Sequence, residues 1–316
     1  MKKKNFLITG GTGFIGSNIS NLLSKNNHKV KIFDNNSRGS IQKIKKIKNK
    51  LKFIKGDIRN INHLNKSFKK VDAVIHLAYV NGTKNFYEEP VKILDIAVKG
   101  IINVIDCCIK NNVKELYLAS SSEVYQTPNK IPTDENEPLK VPDVFNPRFS
   151  YGGGKIISEL MGIHYGKKFF KKLVIFRPHN VYGPNMGYDH VVPEFIIRLM
   201  KMKKNNNNFE IQGSGNETRS FIYIDDFISA FDLIIKKGKH LNIYNIGTQE
   251  KIKISRLAKI ISSFFNKKII LKRKNIRKGS AKNRTPNINK LKKLGFKRKF
   301  SLSSGLSKTI NWYKKY

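Results

Sequence analysis

The stretch "NFLITGGTGFIGSN" at residues 5–18 decides the fold of this chain. A short apolar run is followed at once by Gly10, Gly13 and Gly16, which are spaced three residues apart. This pattern predicts a β-strand, a tight turn and the start of a helix, whose backbone N–H groups can bind a pyrophosphate. A structural turn without any ligand is the alternative interpretation.

The same order of elements continues through the first half of the chain. Further short apolar runs predict strands at 30–33, 51–54, 73–78, 115–120 and 172–177, with helical patterns between them. Strands that alternate with helices indicate βαβ units and a parallel sheet. The predicted fold is α/β: a Rossmann-type doubly wound parallel sheet with a smaller C-terminal substrate-binding lobe.

Length and composition narrow the class of protein. The 316 residues are 39% hydrophobic, which is enough for a sizeable core. The apolar runs are much shorter than the roughly 20 residues that a membrane span needs, so no membrane partner is expected. Cys107 and Cys108 are adjacent and cannot frame a disulfide scaffold. We therefore expect a cytoplasmic protein.

The net charge of +40 is unusual, and no acidic residue follows Glu250. A basic chain can bind nucleic acid. Here, however, the lysines are scattered through every segment and are not gathered on one recognition helix. We interpret the charge as compositional bias together with an anionic small substrate, and we expect no nucleic-acid partner.

Two acidic residues follow predicted strands and suggest the cofactor. Asp34 ends the second strand, where a carboxylate accepts hydrogen bonds from an adenosine ribose and repels a 2′-phosphate. This position favours NAD over NADP, although Arg38 lies nearby. Asp57 follows the third strand, where an acid meets the adenine amino group, and a helix N-cap is its alternative role.

The alternation of strands and helices breaks down after about residue 177. We therefore predict a NAD-binding Rossmann domain at 1–176, to which the chain returns near 222–248. Residues 177–221 and 249–316 are predicted to form the substrate-binding lobe at the carboxyl edge of the sheet, where ligands of such sheets bind.

Eight motifs, in chain order, resemble the extended short-chain dehydrogenase/reductase family, specifically its NAD-dependent nucleotide-sugar epimerases and dehydratases. They are "TGGTGFIG", "DNNSRG", "GDIR", "HLA", "SSSEVY", "YGGGK", "RPHNVYGP" and "RSFIYIDD". The resemblance covers nearly the whole chain. It implies a NAD cofactor bound by Gly10, Gly13, Phe14, Ile15, Gly16, Asp34, Asp57, Ile58, Leu77, Ala78 and Lys155.

The resemblance also assigns the catalytic pair in "YGGGK". Tyr151 would take a hydroxyl proton while a hydride leaves the same carbon of the sugar. A free tyrosine has a pKa near 10 and is a poor base at neutral pH. A lysine one helical turn away favours the phenolate, because positive charge stabilises the ionised form. Lys155 would also hold the nicotinamide ribose, and Ser121 would hydrogen-bond the reacting hydroxyl.

Glu123 leaves the outcome after sugar oxidation open. Similar 4,6-dehydratases carry an Asp-Glu pair after the active-site hydroxyl, whereas this chain has Ser122 and Glu123. Glu123 is then a base at C5, a hydrogen-bond partner of the sugar, or an acid turned toward solvent. We expect a nucleotide-diphosphate-sugar 4-epimerase, and the alternative is a dehydratase. Decarboxylation or nucleic-acid binding is less favoured; related decarboxylases carry an arginine soon after "GP", where this chain has Asn185.

The remaining matches concern the substrate and assembly. Asn180, Arg219 and Arg277 resemble residues that bind the substrate diphosphate, and Ser122 is expected beside the sugar. Ala97 stands where relatives often have an asparagine that shapes the active site. Related enzymes are usually homodimers, and helices near 90–112 and 152–167 would form the interface.

Overall fold

The computed structural model describes residues 2–203, 207–275 and 278–315, without the side chains of residues 46 and 48. Seven parallel strands form the central sheet, in the spatial order β11-β6-β5-β4-β1-β2-β3. The described strands are β1 Asn5–Thr9, β2 Lys29–Asp34, β3 Leu51–Lys55, β4 Ala73–His76, β5 Glu115–Ala119, β6 Lys172–Pro178, β7 Val181–Tyr182, β8 Asn208–Gln212, β9 Thr218–Arg219, β10 Ile222–Tyr223, β11 Asn242–Ile246, β12 Ile252–Lys253, β13 Ile270–Lys274 and β14 Asn283–Arg284.

Helices cover both faces of this sheet. They are α1 Phe14–Lys25, α2 Ile61–Lys66, α3 Thr83–Glu88, α4 Pro90–Lys110, α5 Phe149–Phe169, α6 Val191–Lys201, α7 Ile224–Lys237, α8 Ile254–Ser263, α9 Asn289–Lys293 and α10 Leu302–Lys315. Two 3₁₀ segments span Ile41–Lys50 and Ser122–Tyr125. The α/β Rossmann-type fold predicted from the sequence is confirmed.

The strand predictions differ from the structure mainly at two places. The apolar run at 73–78 ends as a strand at His76, so that Leu77 and Ala78 belong to a loop beyond the sheet edge. The seventh strand, β11, is interrupted by polar Asn242 and Asn245 and did not stand out in the sequence. It pairs in parallel with β6 at the edge of the sheet.

Two hydrophobic cores lie on opposite faces of the sheet. Alternate residues of β1 separate them, because Phe6 and Ile8 join one core while Leu7 joins the other. The first core extends through α1 and α7 into the helices and small sheets of the C-terminal half. The second is closed by α2, α4 and α5. Removing apolar surface from water contributes roughly 25 cal/mol per Å². Burial of side chains on both faces is therefore the main stabilising contribution of the parallel sheet.

Helix α5 forms despite three consecutive glycines near its start. Each glycine costs about 1 kcal/mol relative to alanine in a helix interior. The helix begins at Phe149 and buries Tyr151, Gly152, Gly154 and Lys155. Packing against α4 and the sheet, rather than helix propensity, therefore holds this turn.

No helix within the described ranges is both long enough and apolar enough to cross a membrane.

Candidate active site

One cavity of about 970 Å³ lies at the carboxyl edge of the sheet. It brings together all the predicted site residues that the structure describes. Its walls include Gly10, Gly13, Phe14, Ile15, Gly16, Asp34, Asp57, Ile58, Leu77, Ala78, Ser121, Ser122, Glu123, Tyr151, Lys155, Asn180 and Arg219. Arg277 lies outside the described residues.

The glycine turn forms the cofactor end of the cavity. Gly10 has a φ of +74°, a conformation that favours glycine, and a Cβ there would come within 3.0 Å of the Ala78 backbone. A Cβ on Gly16 would approach the Gly10 carbonyl oxygen equally closely. Gly13 caps α1 without any side-chain hydrogen bond, so the first N–H groups of the helix are free to bind phosphate.

Asp34 is held against this turn. Its carboxylate accepts hydrogen bonds from the Thr12 backbone N–H at 3.0 Å and the Asn36 backbone N–H at 2.8 Å. Such anchoring orients the carboxylate at the end of β2, where a ribose is expected. The turn, the free helix N-terminus and Asp34 together fit an adenine dinucleotide.

Asp57 is not the N-cap of α2, because the Asn60 side chain occupies that position. Instead, Asp57 forms an ion pair with Arg59 at 2.8 Å. The hydrogen bond from Arg59 lowers the pKa of Asp57. The alternative interpretation of Asp57 as a cap is therefore wrong.

Arg38 does not pair with Asp34 but reaches across the cavity rim. It forms an ion pair with Asp189 at 2.9 Å, in the loop before α6. This contact joins the loop after β2, at the cofactor end, to the C-terminal part of the chain.

Tyr151 lies in the wall of the cavity and is only 5% exposed. Phe86 stacks on its ring with centroids 4.7 Å apart. Burial raises the pKa of Tyr151 to about 12, and a hydrogen bond with Ser121 opposes that effect. Ser121 also caps the 3₁₀ segment by accepting the Glu123 backbone N–H at 3.1 Å, which fixes its hydroxyl beside the tyrosine.

Lys155 lies one turn along α5 from Tyr151 and is 3% exposed. Its Nζ donates a hydrogen bond to the Ala119 carbonyl oxygen at 2.8 Å and lies 3.9 Å from the centroid of the Tyr79 ring. The Tyr151 ring centroid is farther away, at 6.0 Å. Burial lowers the pKa of Lys155 to about 7, so its charge is marginal at neutral pH.

Glu123 belongs to an ion cluster that sequence reasoning missed. Arg284 binds its two carboxylate oxygens at 2.5 and 3.1 Å, and Arg148 approaches Oε2 at 3.4 Å. Although burial raises the pKa of Glu123, the two guanidiniums lower it to about 2. We call Glu123, Arg148 and Arg284 the Glu123 ion cluster. Glu123 is thus not turned toward solvent.

The remaining predicted substrate residues border this cluster. Arg219 donates to the backbone carbonyls of Thr218 and Ala281, both at 2.8 Å. Burial, together with the nearby Arg284 charge, lowers the pKa of Arg219 to about 10. The Asn180 side chain donates to the Ser220 carbonyl at 2.9 Å. These two side chains are therefore anchored to backbone on the C-terminal side of the cavity.

A glycine turn at a helix N-terminus that shares one cavity with a buried tyrosine and lysine is typical of a dinucleotide-dependent enzyme of the α/β class. The chain belongs to the NAD dependent epimerase/dehydratase family, whose model matches residues 6–247. It is an NAD-dependent nucleotide-sugar enzyme. The cofactor and the family expected from the sequence are thereby confirmed.

Several relatives place the chain within this family. It is 34% identical over 316 residues to a protein provisionally named UDP-glucose 4-epimerase from Methanocaldococcus jannaschii, covering 98% of both chains. It is 32% identical to a dTDP-D-glucose 4,6-dehydratase from Dictyostelium discoideum, over 82% of this chain and 61% of that one. The UDP-glucose 4-epimerase of Thermotoga maritima, solved with UDP-glucose, has a TM-score of 0.88 at 28% identity, with 98% and 99% of the two chains covered.

Proposed function

We propose that the chain is a nucleotide-diphosphate-sugar 4-epimerase that acts through a transient 4-keto sugar. The observation that carries this proposal is the pairing of the Glu123 carboxylate with arginine. In the alternative, a 4,6-dehydratase, Glu123 must remove the C5 proton, and its surroundings decide whether it can.

The Glu123 ion cluster disfavours that role. Both carboxylate oxygens already accept hydrogen bonds from arginine. A general base works best with a pKa near the operating pH, whereas the pKa of Glu123 is about 2. A dehydratase also needs an acid to expel water, and the neighbouring position is Ser122. An epimerase needs neither group.

Tyr151, Ser121 and Lys155 are the proposed catalytic residues. Tyr151 accepts the proton of the sugar 4-hydroxyl, and Ser121 hydrogen-bonds the same hydroxyl. Bound NAD supplies the hydride acceptor and a positively charged ring. The glycine turn, Asp34 and Lys155 are the proposed cofactor contacts, with Phe14, Ile15, Asp57, Ile58, Leu77 and Ala78 lining the pocket around them. Because burial raises the pKa of Tyr151, positive charge nearby is required for its ionisation.

Arg219 and Asn180 are proposed to hold the diphosphate, since arginine binds phosphate in a bidentate fashion. Arg277 and Ser122 remain predicted substrate contacts. The Glu123 ion cluster carries two guanidiniums for one carboxylate. Sugars with an acidic C6 group therefore belong in any substrate panel.

The decisive experiment incubates the protein and NAD with UDP-, GDP-, dTDP- and CDP-linked hexoses and uronates in deuterium oxide, followed by NMR. A 4-epimer without deuterium at C5 supports the proposal. Loss of water with deuterium at C5 identifies a dehydratase, and loss of carbon dioxide identifies a decarboxylase. Absence of turnover with the whole panel contradicts the proposal.

Glu123→Gln separates the two main candidates. In an epimerase, the variant keeps 4-oxidation and epimerisation, with weaker substrate binding because the ion cluster is disturbed. In a dehydratase, it keeps 4-oxidation and loses the dehydrated product. The matched control is Glu137→Gln, a half-buried acid on the loop that follows the Ser122–Tyr125 segment, whose glutamine can still accept the hydrogen bond from the Asn129 backbone N–H.

We further propose a homodimer built on α4 and α5. These helices expose apolar side chains at helical spacing, which is typical of a helix packed against a partner. They are Val91, Leu94 and Ile102 on α4 and Ile157, Leu160, Tyr165 and Phe169 on α5. Analytical ultracentrifugation of the wild type and of Leu160→Glu tests the proposal. A monomeric wild type would overturn it.

The division into a NAD-binding domain at 1–176 and a substrate lobe at 177–221 and 249–316 is also proposed, as is a location in the cytoplasm. Cys107 and Cys108 are both free thiols and buried, which suits a reducing compartment.

A further inference from the structure

Tyr79 contacts both members of the proposed catalytic pair, and the sequence motifs did not single it out. It lies in the loop after β4 and lines the cavity. Its ring centroid is 3.9 Å from Lys155 Nζ. Its ring also meets the Tyr151 ring edge to face, with centroids 5.1 Å apart. Both arrangements are attractive for an aromatic ring.

Two small neighbours make room for this phenol. A Cβ on Gly154 would come within 3.0 Å of both the Tyr79 hydroxyl oxygen and the Ala97 Cβ. The space beside Ala97 is thus bordered by the Tyr79 hydroxyl. Gly154 is the last glycine of the "YGGGK" turn, so the glycine run that weakens α5 is also what leaves room for Tyr79.

The ring, rather than the hydroxyl, carries the useful contacts. The Tyr79 hydroxyl is buried and has no hydrogen-bond partner among the described residues. A buried hydroxyl without a partner does not stabilise the folded state. Removing the oxygen should therefore cost little, whereas removing the ring should leave Lys155 with its Ala119 hydrogen bond but without its aromatic contact.

We propose that Tyr79 is a positioning residue whose ring holds the Lys155 ammonium and the Tyr151 ring in their working orientation. The inference rests on the proposed roles of Tyr151 and Lys155. It adds a residue that no motif of the chain assigns to the reaction.

The ring face also acts on the charge of Lys155. Burial lowers the pKa of Lys155 to about 7, with Glu159 opposing it from the same helix. Glu159 is itself bound by Arg177. An aromatic face favours the ammonium form and so works against burial. His76, the other titratable neighbour from the sheet, is buried, and its pKa is lowered to about 3, which keeps it neutral.

Loss of the ring should therefore favour neutral Lys155 and disfavour the Tyr151 phenolate. Glu123, Arg38 and Arg284 are the charged groups that act most on the pKa of Tyr151, and they lie outside the Tyr79 contact. Substitution of Tyr79 leaves them in place, so a changed tyrosine titration would report on Lys155.

The test is the titration of Tyr151 in NAD-saturated protein, followed by ultraviolet difference spectroscopy of tyrosinate. The signal of Tyr151 is isolated by subtracting the matching Tyr151→Phe protein. Tyr79→Leu should move the midpoint upward by roughly half to one pH unit. Tyr79→Phe keeps the ring and should leave the midpoint where the wild type has it.

Phe86→Leu is the matched control, because Phe86 packs on Tyr151 without contacting Lys155 in the described contacts. It opens the surroundings of Tyr151, so it should leave the midpoint unchanged or move it down. The proposal would be overturned if Tyr79→Leu left the Tyr151 midpoint unchanged or moved it down. Equal midpoint shifts in Tyr79→Phe and Tyr79→Leu would also overturn it.

Tyr79→Met provides a second ring deletion that retains apolar volume. If both ring deletions fail to fold, Tyr79 is a structural residue and the proposal is wrong. The titration needs no sugar substrate, so it stands even if no nucleotide sugar is turned over. Conversely, epimerase activity with an unshifted Tyr79→Leu would reject this inference and leave the proposed function intact.

Discussion

The two ends of the cavity are built in opposite ways. At the cofactor end, the glycine turn is formed by the contiguous residues 10–16, and its Thr12 backbone N–H binds Asp34, which is 22 positions away. At the opposite end, which we propose binds the sugar and call the sugar end, Glu123 contacts Arg284, which is 161 positions away in sequence. A local motif can be recognised in a sequence, whereas an ion cluster assembled by the fold cannot. The cofactor end should also tolerate changes at the sugar end.

The sharpest separation of the two ends is Tyr151→Phe. Removing the phenolic hydroxyl should lower kcat on the order of 100- to 10,000-fold, the range typical of general acid–base catalysis. The affinity for NAD should stay within about twofold, because the cofactor contacts are left in place. Steady-state kinetics and calorimetric NAD titration measure the two quantities. Comparable losses in both would contradict the separation.

Gly16→Ala tests the glycine turn at the cofactor end of the cavity. The added Cβ would come within 3.0 Å of the Gly10 carbonyl and the Gly11 Cα, so α1 or the turn must shift. Overpacking of this kind costs about 1–3 kcal/mol, and NAD affinity should fall roughly 5- to 100-fold. Gly153→Ala is the control, since its Cβ meets only Val141 at an ordinary 3.4 Å. Unchanged NAD affinity in Gly16→Ala would show that the turn does not bind the cofactor.

Arg284→Met tests whether the Glu123 ion cluster is structural. It leaves a partly buried carboxylate with only the weaker Arg148 contact, and the free energy of unfolding should fall by about 2–4 kcal/mol. The double variant Glu123→Gln, Arg284→Met should recover part of this loss. Urea denaturation measures both. A double variant less stable than Arg284→Met would contradict the pairing.

The same cluster has a defined pH dependence. The folded-state pKa of Glu123 is lowered to about 2 from 4.5, so the pairing stabilises the fold above pH 4.5. That contribution is lost as the pH falls from about 4.5 to about 2. The stability gap between wild type and Arg284→Met should therefore be largest near neutral pH and narrow over this interval. A gap that is independent of pH would exclude Glu123 as its origin.

Gly153→Ala should have the smallest effect. Its Cβ has room, and alanine is the better helix former, so the variant should gain up to about 1 kcal/mol in unfolding free energy. NAD affinity and kcat should both stay near the wild-type values. A marked loss of NAD affinity or of kcat would show that Gly153 has a functional role.

The sequence was sufficient to predict the fold and the NAD cofactor, and there is a physical reason for this. Periodicity reports which faces of each element are buried, and the glycine turn depends on its own backbone geometry. β11 escaped notice because it is an edge strand of the sheet, with polar Asn242 and Asn245 and only part of its length deeply buried.

The residues at the proposed sugar end could be assigned only from their three-dimensional contacts. Arg148 and Arg284 looked like ordinary basic residues in a lysine-rich chain until the fold placed both beside Glu123. Tyr79 similarly had no signal, since its partners Ala97 and Gly154 lie on different helices. The open question about Glu123 could not be answered without knowing which side chains surround it.

The glycine run in α5 has a consequence for how activity is acquired during folding. A turn with three glycines is a poor nucleus and cannot persist as an isolated helix, so it should form after its neighbours have docked. Tyr151 and Lys155 sit on either side of that run. We expect catalytic competence to be among the last properties gained on refolding and among the first lost when α5 frays.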